Sequence, residues 1–131
     1  MSDAFERCHP RYRFAQQEEC LCVMTVQRLD SMIEITALAI CDPTQALDRV
    51  PYKLASKWPE APALELTVAL ASAADATQDV FDELGETGRR AQYVWRLAAM
   101  VGADVHYLML GDTGSCTAGD LLAFWQHVES S

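Results

Sequence analysis

Five cysteines and three histidines are the first residues to test for chemistry, because thiolate and imidazole are the side chains best suited to hold a transition metal or to serve as nucleophile and base. Cys8-His9 and Cys20-x-Cys22 together offer four zinc-type ligands near the start of the chain. Their spacing differs from that of common zinc knuckles, and two cysteines separated by one residue diverge on a helix. No metal site is therefore expected, and the absence of a Cys-x-x-Cys pair argues against a redox couple. Cys41 and Cys116 complete an odd set, as expected of reduced, core-packed thiols. Asp104-x-His106 has the composition of a catalytic dyad, but the simpler roles are a helix cap for Asp104 and a half-exposed helix position for His106. His9 and His127 stand apart from any acid and nucleophile set, and the chain has no P-loop, dinucleotide fingerprint, HExxH or GxSxG. Glu18-Glu19 and Asp82-Glu83 lack the Glu-x-x-His partner of di-iron bundles. These observations predict no catalytic residue, no cofactor and no enzyme.

Carboxylates carry the clearest pattern. Asp75, Asp79 and Asp82 are spaced four and three apart, so on a helix they line one side, and Glu83 and Glu86 extend the line. Between Lys57 and Arg89 there is no basic residue, whereas the same interval holds Glu60, Glu65, Asp75, Asp79, Asp82, Glu83 and Glu86. A solvated helix usually mixes signs to gain i,i+4 pairs, and a face of one sign is more typical of steering a charged partner. The plain alternative is a solvated acidic surface with no partner. Over the whole chain, 19 acidic residues against 10 basic ones give a net charge of -9. With a pI near 4.6, such a chain repels nucleic acid and anionic membranes. Half of the 131 residues are hydrophobic, enough for one globular domain. The opening residues MSDAFERCHPRYRF contain no apolar run, and no segment has the length and apolarity to span a bilayer, so a cytoplasmic protein is expected.

The elements that must position these residues read as helices. Residues 1–15 form a basic arm with Arg7, Arg11 and Arg13, and the spacing of Leu21, Met24, Met32, Ile35 and Ala39 predicts a helix from Gln16 to Ile40. The β-branched Val23, Thr25, Val26, Ile33, Ile35 and Thr36 leave short strands open as the competing form. A second helix is predicted to begin at Pro43 or Thr44 and to reach Trp58, interrupted by Pro51. From Ala63 an alanine-rich run predicts another helix, stopped by Gly85 and Gly88. Tyr93, Val94, Leu97, Ala98 and Val101 form a further helical pattern ending at Gly102, placed at positive φ, with Val105, Tyr107 and Leu108 plugging the core. Leu121, Phe124, Trp125 and Val128 form the stripe of a last helix from about Asp120, to be buried within the chain or against a second copy. The fold class is all-α: a single compact domain of five or six helices. Its parts are the arm 1–15, N-terminal helices over 16–58, a core over 63–111 and a C-terminal helix over 117–131.

The string VGADVHYLMLG, ending at Gly111, resembles the closing segment of lambda-repressor-like helix-turn-helix domains in phage regulators, where a glycine turn precedes an Asp-Tyr-Leu-Leu plug. Upstream, Glu83, Gly85, Ala91 and Tyr93 keep the Glu-x-Gly and Ala-x-Tyr spacing of those regulators, and Thr77-Gln78 falls near their recognition helix. The resemblance covers about residues 66–111, and only its last quarter is specific. It implies a degenerate helix-turn-helix core flanked by N- and C-terminal helices, with DATQDVFDELGE as the former recognition helix. That helix offers carboxylates to phosphates, and only Gln78 could read an adenine edge.

Charge favours a small acidic, non-enzymatic binding protein, for which the resemblance implies phage or mobile-element descent. Its face of Asp75, Asp79, Asp82, Glu83 and Glu86 would inhibit or modulate a basic, nucleic-acid-binding partner protein. Binding to duplex DNA is disfavoured. The alternatives are a dimeric transcription regulator contacting DNA through Gln78, Arg89 and Arg90, and a structural or adaptor subunit docking through Leu121 to Val128. A homodimer is compatible with each.

Overall fold

The longest helix forms from the segment richest in β-branched residues. In the computed structural model, which describes residues 12–80, 85–111 and 116–130 with side chains from residue 26 onward, helix α1 runs over Tyr12–Cys41. Met32, Thr36, Ala39 and Ile40 recur at helical spacing and are all fully buried. Burying that face outweighs a propensity difference of about 0.5 kcal/mol per β-branched residue. The strand alternative for this segment is thereby overturned, and the helix begins earlier than expected, inside the predicted arm. Thr36 is accommodated because its hydroxyl donates to the Met32 carbonyl at 2.8 Å. Cys8 and His9 lie outside the described residues, as do the side chains of Cys20 and Cys22.

Asp42 ends α1 with a turn built on its own carboxylate, which accepts the Thr44 amide at 3.0 Å and the Thr44 hydroxyl at 2.6 Å. Those two bonds hold the Asp42 carboxyl below its usual range. The chain then makes a 3-10 turn over Leu47–Arg49 and helix α2 over Val50–Lys57. Pro51 does not interrupt a helix, as the sequence suggested. It lies in the first turn of α2, where its missing N–H has no partner to lose.

Helix α3 covers Leu64–Val80 and helix α4 covers Glu86–Met109. They form the most extensive helix pair of the molecule, and α1 lies along α3. Small residues permit this closeness: Ala69, Ala73 and Ala74 are buried on α3, and Gly88, Ala91 and Ala98 on α4. Gly85 is the N-cap of α4, whereas Gly88 is inside it, so the second glycine is a packing residue and not a stop.

The predicted break at Gly102 is absent. Helix α4 continues through it for 24 residues in all, and the φ of Gly102 lies outside the left-handed region. The cause is the apolar face that carries on past the glycine, with Val101 and Val105 both buried. Burying one such side chain is worth about 1.5–3 kcal/mol, more than the roughly 1 kcal/mol that an interior glycine costs. Tyr107, expected in the core, is 65% exposed, and Leu108 is only half-buried. Tyr107 instead lies against Phe124, with ring centroids 5.6 Å apart. Leu64–Val80 and Glu86–Met109 thus form two uninterrupted helices.

The last helix, α5, covers Ala118–Ser130. Thr117 and Asp120 cap it reciprocally: the Thr117 amide donates to the Asp120 carboxylate at 3.0 Å and the Asp120 amide to the Thr117 hydroxyl at 3.2 Å. Two further first-turn amides, of Ala118 and Gly119, donate to the Ala61 and Pro59 carbonyls in the α2–α3 connection at 2.7 and 2.8 Å. The buried Leu121 and Trp125 and the half-buried Phe124 pack within the chain, so most of the C-terminal stripe has an intramolecular destination, while Val128 is exposed. The five helices make one compact all-α fold in which no described residue belongs to a strand. Among the described residues, no helix is long and apolar enough to cross a membrane.

Candidate functional site

Helices α2, α4 and α5 meet unevenly and leave a cleft of about 300 Å³. Pro51, Leu97 and Val101 are buried and give it an apolar floor, while Met100 forms an exposed lip. Tyr52 from α2 and Trp125 from α5 also line it, with their rings tilted at 49° and centroids 5.0 Å apart. Two carboxylates, Asp48 and Asp104, complete the lining.

Aromatic donors hold the carboxylates around this cleft. The Trp125 indole N–H donates to Asp104 Oδ2 at 2.8 Å, and the Tyr93 hydroxyl donates to Asp48 Oδ1. On the α5 side, the Tyr52 hydroxyl donates to Glu129 Oε1 at 2.6 Å. The hydrogen bond to Glu129, followed by burial, raises Tyr52 above the ordinary tyrosine range, and the bond to Asp48 does the same for Tyr93. Each phenol therefore stays protonated and keeps donating.

Asp104 is here because α4 is unbroken at Gly102. Its expected role as a helix cap is corrected: it lies mid-helix, with its carboxylate on the Trp125 indole. Continuity of α4 also places Tyr93, Leu97, Met100 and Asp104 along one side of that helix, at spacings of four, three and four.

A second, more open groove of about 660 Å³ lies on the other side of Tyr52, against Ile35 of α1. Arg49, Lys53, Ser56 and Lys57 line it. The cations fall at intervals of four residues and include both lysines of the chain. Lys57 Nζ lies 4.8 Å from the Trp58 ring centroid.

The carboxylates singled out by sequence occupy the far end of the α3–α4 pair. Asp75 and Asp79 are exposed on α3, and Glu86 is exposed in the first turn of α4. Asp82 and Glu83 lie outside the described residues. Glu65, counted with them in the acidic interval, is neutralised from another helix: Arg28 of α1 grips it through two bonds of 2.6 and 2.8 Å. No ion pair involves Asp75, Asp79 or Glu86 among the described residues.

The residues proposed for DNA contact are differently placed. Arg90 directs Nε and Nη2 at the carbonyls of Ala39, Ile40, Asp42 and Gln45, at 2.7 to 2.9 Å, and so closes the C-terminal end of α1. Gln78 is half-buried and accepts the Trp95 indole N–H at 2.9 Å. Arg89 is exposed on α4. Sequence reading missed Asp48, Tyr52 and Glu129 altogether and took Tyr93 only as part of a helical pattern, because the pairs they form join residues 45 and 77 positions apart. The Arg49, Lys53 and Lys57 stripe was legible in its four-residue spacing, had α2 been started at Val50.

No protein-family model, curated protein or solved structure matches the chain. The fold and the two charged surfaces are accordingly the ground on which its function is read.

Proposed function

We propose that this chain is a small acidic, non-enzymatic binding protein that engages a basic, nucleic-acid-binding partner protein and so inhibits or modulates it. The observation that carries this reading is the set Asp75, Asp79 and Glu86: exposed, on the last turns of α3 and the first turn of α4, and without ion pairs among the described residues. Three exposed carboxylates, on a chain of net charge -9, favour cations over phosphate at that end. Asp82 and Glu83, expected from the sequence to extend this set, lie outside the described residues. Descent from phage regulators rests on the sequence alone, because the eleven-residue string folds as the last turns of α4 and not as a turn and plug. DNA binding as a dimer is the weaker alternative, since Arg90 and Gln78 are both engaged inside the molecule.

Titration with a fluorescent oligolysine peptide and with duplex DNA, over a range of salt, tests the reading. The peptide should bind at low salt and weaken steadily as salt rises, and DNA should not bind. Reversing Asp75 and Asp79 to Lys should weaken peptide binding by about tenfold while circular dichroism stays unchanged. Sequence-selective DNA binding at physiological salt, or charge reversal without effect, would overturn the proposal.

A further inference from the structure

We infer that the cleft between α2, α4 and α5 is a receptor for an arginine side chain, presented by the basic partner that the preceding proposal requires. The argument begins with the carboxylates. Asp104 uses Oδ2 for the Trp125 indole and Asp48 uses Oδ1 for the Tyr93 hydroxyl, and neither makes a second hydrogen bond among the described residues. Each therefore presents one uncommitted oxygen beside an apolar floor. No ion pair among the described residues reaches either carboxylate: Arg49, next in sequence to Asp48, lines the opposite groove.

Asp104 is half-buried and Asp48 exposed, and a carboxylate beside an apolar wall gains most from a cation that brings its own donors. The walls select among cations. Tyr52 and Trp125 offer ring surface, Pro51, Leu97 and Val101 offer contact for an alkyl stem, and the aromatic donors fix the carboxylates before anything binds. A guanidinium is planar, weakly hydrated, stacks on aromatic rings and donates in a fork, whereas an ammonium is a strongly hydrated point charge. The volume of about 300 Å³ is at the lower limit for ligand sites, which suits one long side chain better than a cofactor. Because the carboxylates are oriented in advance, little ordering is left to offset binding.

The test compares labelled oligoarginine and oligolysine peptides of equal length and follows the indole N–H resonances of the three tryptophans by NMR. Oligoarginine should bind about tenfold more tightly than oligolysine and should shift the Trp125 resonance well beyond those of Trp58 and Trp95. Asp104→Asn removes the charge but leaves an oxygen for Trp125, and Met100→Trp fills the cleft from an exposed position. Both variants should keep the native circular dichroism and lose the preference for arginine. Reversal of Asp75 and Asp79 should weaken both peptides alike. Equal binding of the two peptides, an unmoved Trp125 resonance, or an arginine preference that survives Met100→Trp would overturn the inference while leaving the basic-partner proposal standing. Failure of the wild-type protein to bind either peptide would overturn both. N-propylguanidinium serves as a separate arm: if it saturates the Trp125 shift at concentrations that leave oligoarginine affinity unchanged, the cleft binds a free cation and the partner side chain is excluded.

Discussion

Arg90 and Asp104 are charged residues on the same helix with opposite circumstances. Arg90 reaches the open end of α1, where Nε and Nη2 donate to four carbonyls, two of which, Ala39 and Asp42, also accept a backbone amide of the turn. Asp104 makes one hydrogen bond among the described residues, to Trp125 through Oδ2, and lines the cleft. The difference separates a charge that closes the fold from a charge that is held ready. Both are fixed in place, but only Asp104 lines a cleft.

The comparison is broken most forcefully at Arg90. Arg90→Ala removes the side-chain donor from the carbonyls of Ile40 and Gln45 and the second donor from those of Ala39 and Asp42, and should cost about 2–3 kcal/mol by urea denaturation. Arg90→Lys should recover only part of this, because an ammonium cannot reproduce a planar edge that spans several carbonyls. If Arg90→Ala were neutral, the residue would be available to a partner and the contrast with Asp104 would disappear.

A smaller effect of opposite sign is expected at Gly102, the residue whose conformation decides whether Asp104 can reach the cleft. A Cβ built there meets Thr67 Cγ2 at 3.6 Å, an ordinary contact, and the backbone is helical. Gly102→Ala should therefore stabilise the protein by about 0.5–1 kcal/mol through helix propensity. Had the helix ended at Gly102 in a left-handed cap, the same change would destabilise by more than that. The direction of the shift in melting temperature consequently reports whether α4 is continuous.

Gly102 also shows where sequence reading fails. The flanking positions carried the helical pattern, and it led correctly to an all-α domain, to helix over most of α1, and to α3 and α5 within a few residues. Glycine followed by an aspartate is the local signature of a cap and a new turn, and only the burial of Val101 and Val105 against other elements decides otherwise. The β-branched run in α1 was ambiguous for the same reason: packing, not propensity, settles it. At the functional surfaces the pattern was one-sided. The exposed carboxylates Asp75, Asp79 and Glu86 could be read from spacing, whereas the cleft needs Tyr52 beside Glu129 and Tyr93 beside Asp48. Only the folded chain brings those partners together. The same holds for Arg28 and Glu65, which look like unrelated charges until α1 lies along α3.

The smallest effects expected are in alkaline titration, and they resolve the cleft pair by pair. The α1 corner is built on backbone carbonyls, which do not titrate. The cleft is different. Tyr52 and Tyr93 each donate to a carboxylate, and ionisation would put a phenolate beside that carboxylate, which is why both titrate above the ordinary tyrosine range. A proton held more tightly in the folded than in the unfolded chain contributes stability that is fully present below the unfolded pKa of about 10. That contribution is lost as pH rises through the higher folded value. Phenolate absorbance should therefore show two tyrosines ionising late. Asp48→Asn should bring only Tyr93 back toward the ordinary range, and Glu129→Gln only Tyr52, because Glu129 is the largest influence on Tyr52 and Asp48 on Tyr93. If either substitution moved both tyrosines equally, the two carboxylates would act as one coupled network around the cleft. If neither moved its partner, the aromatic donors would not be what holds these carboxylates in place, and the contrast between a closed corner and a prepared cleft would lose its chemical basis.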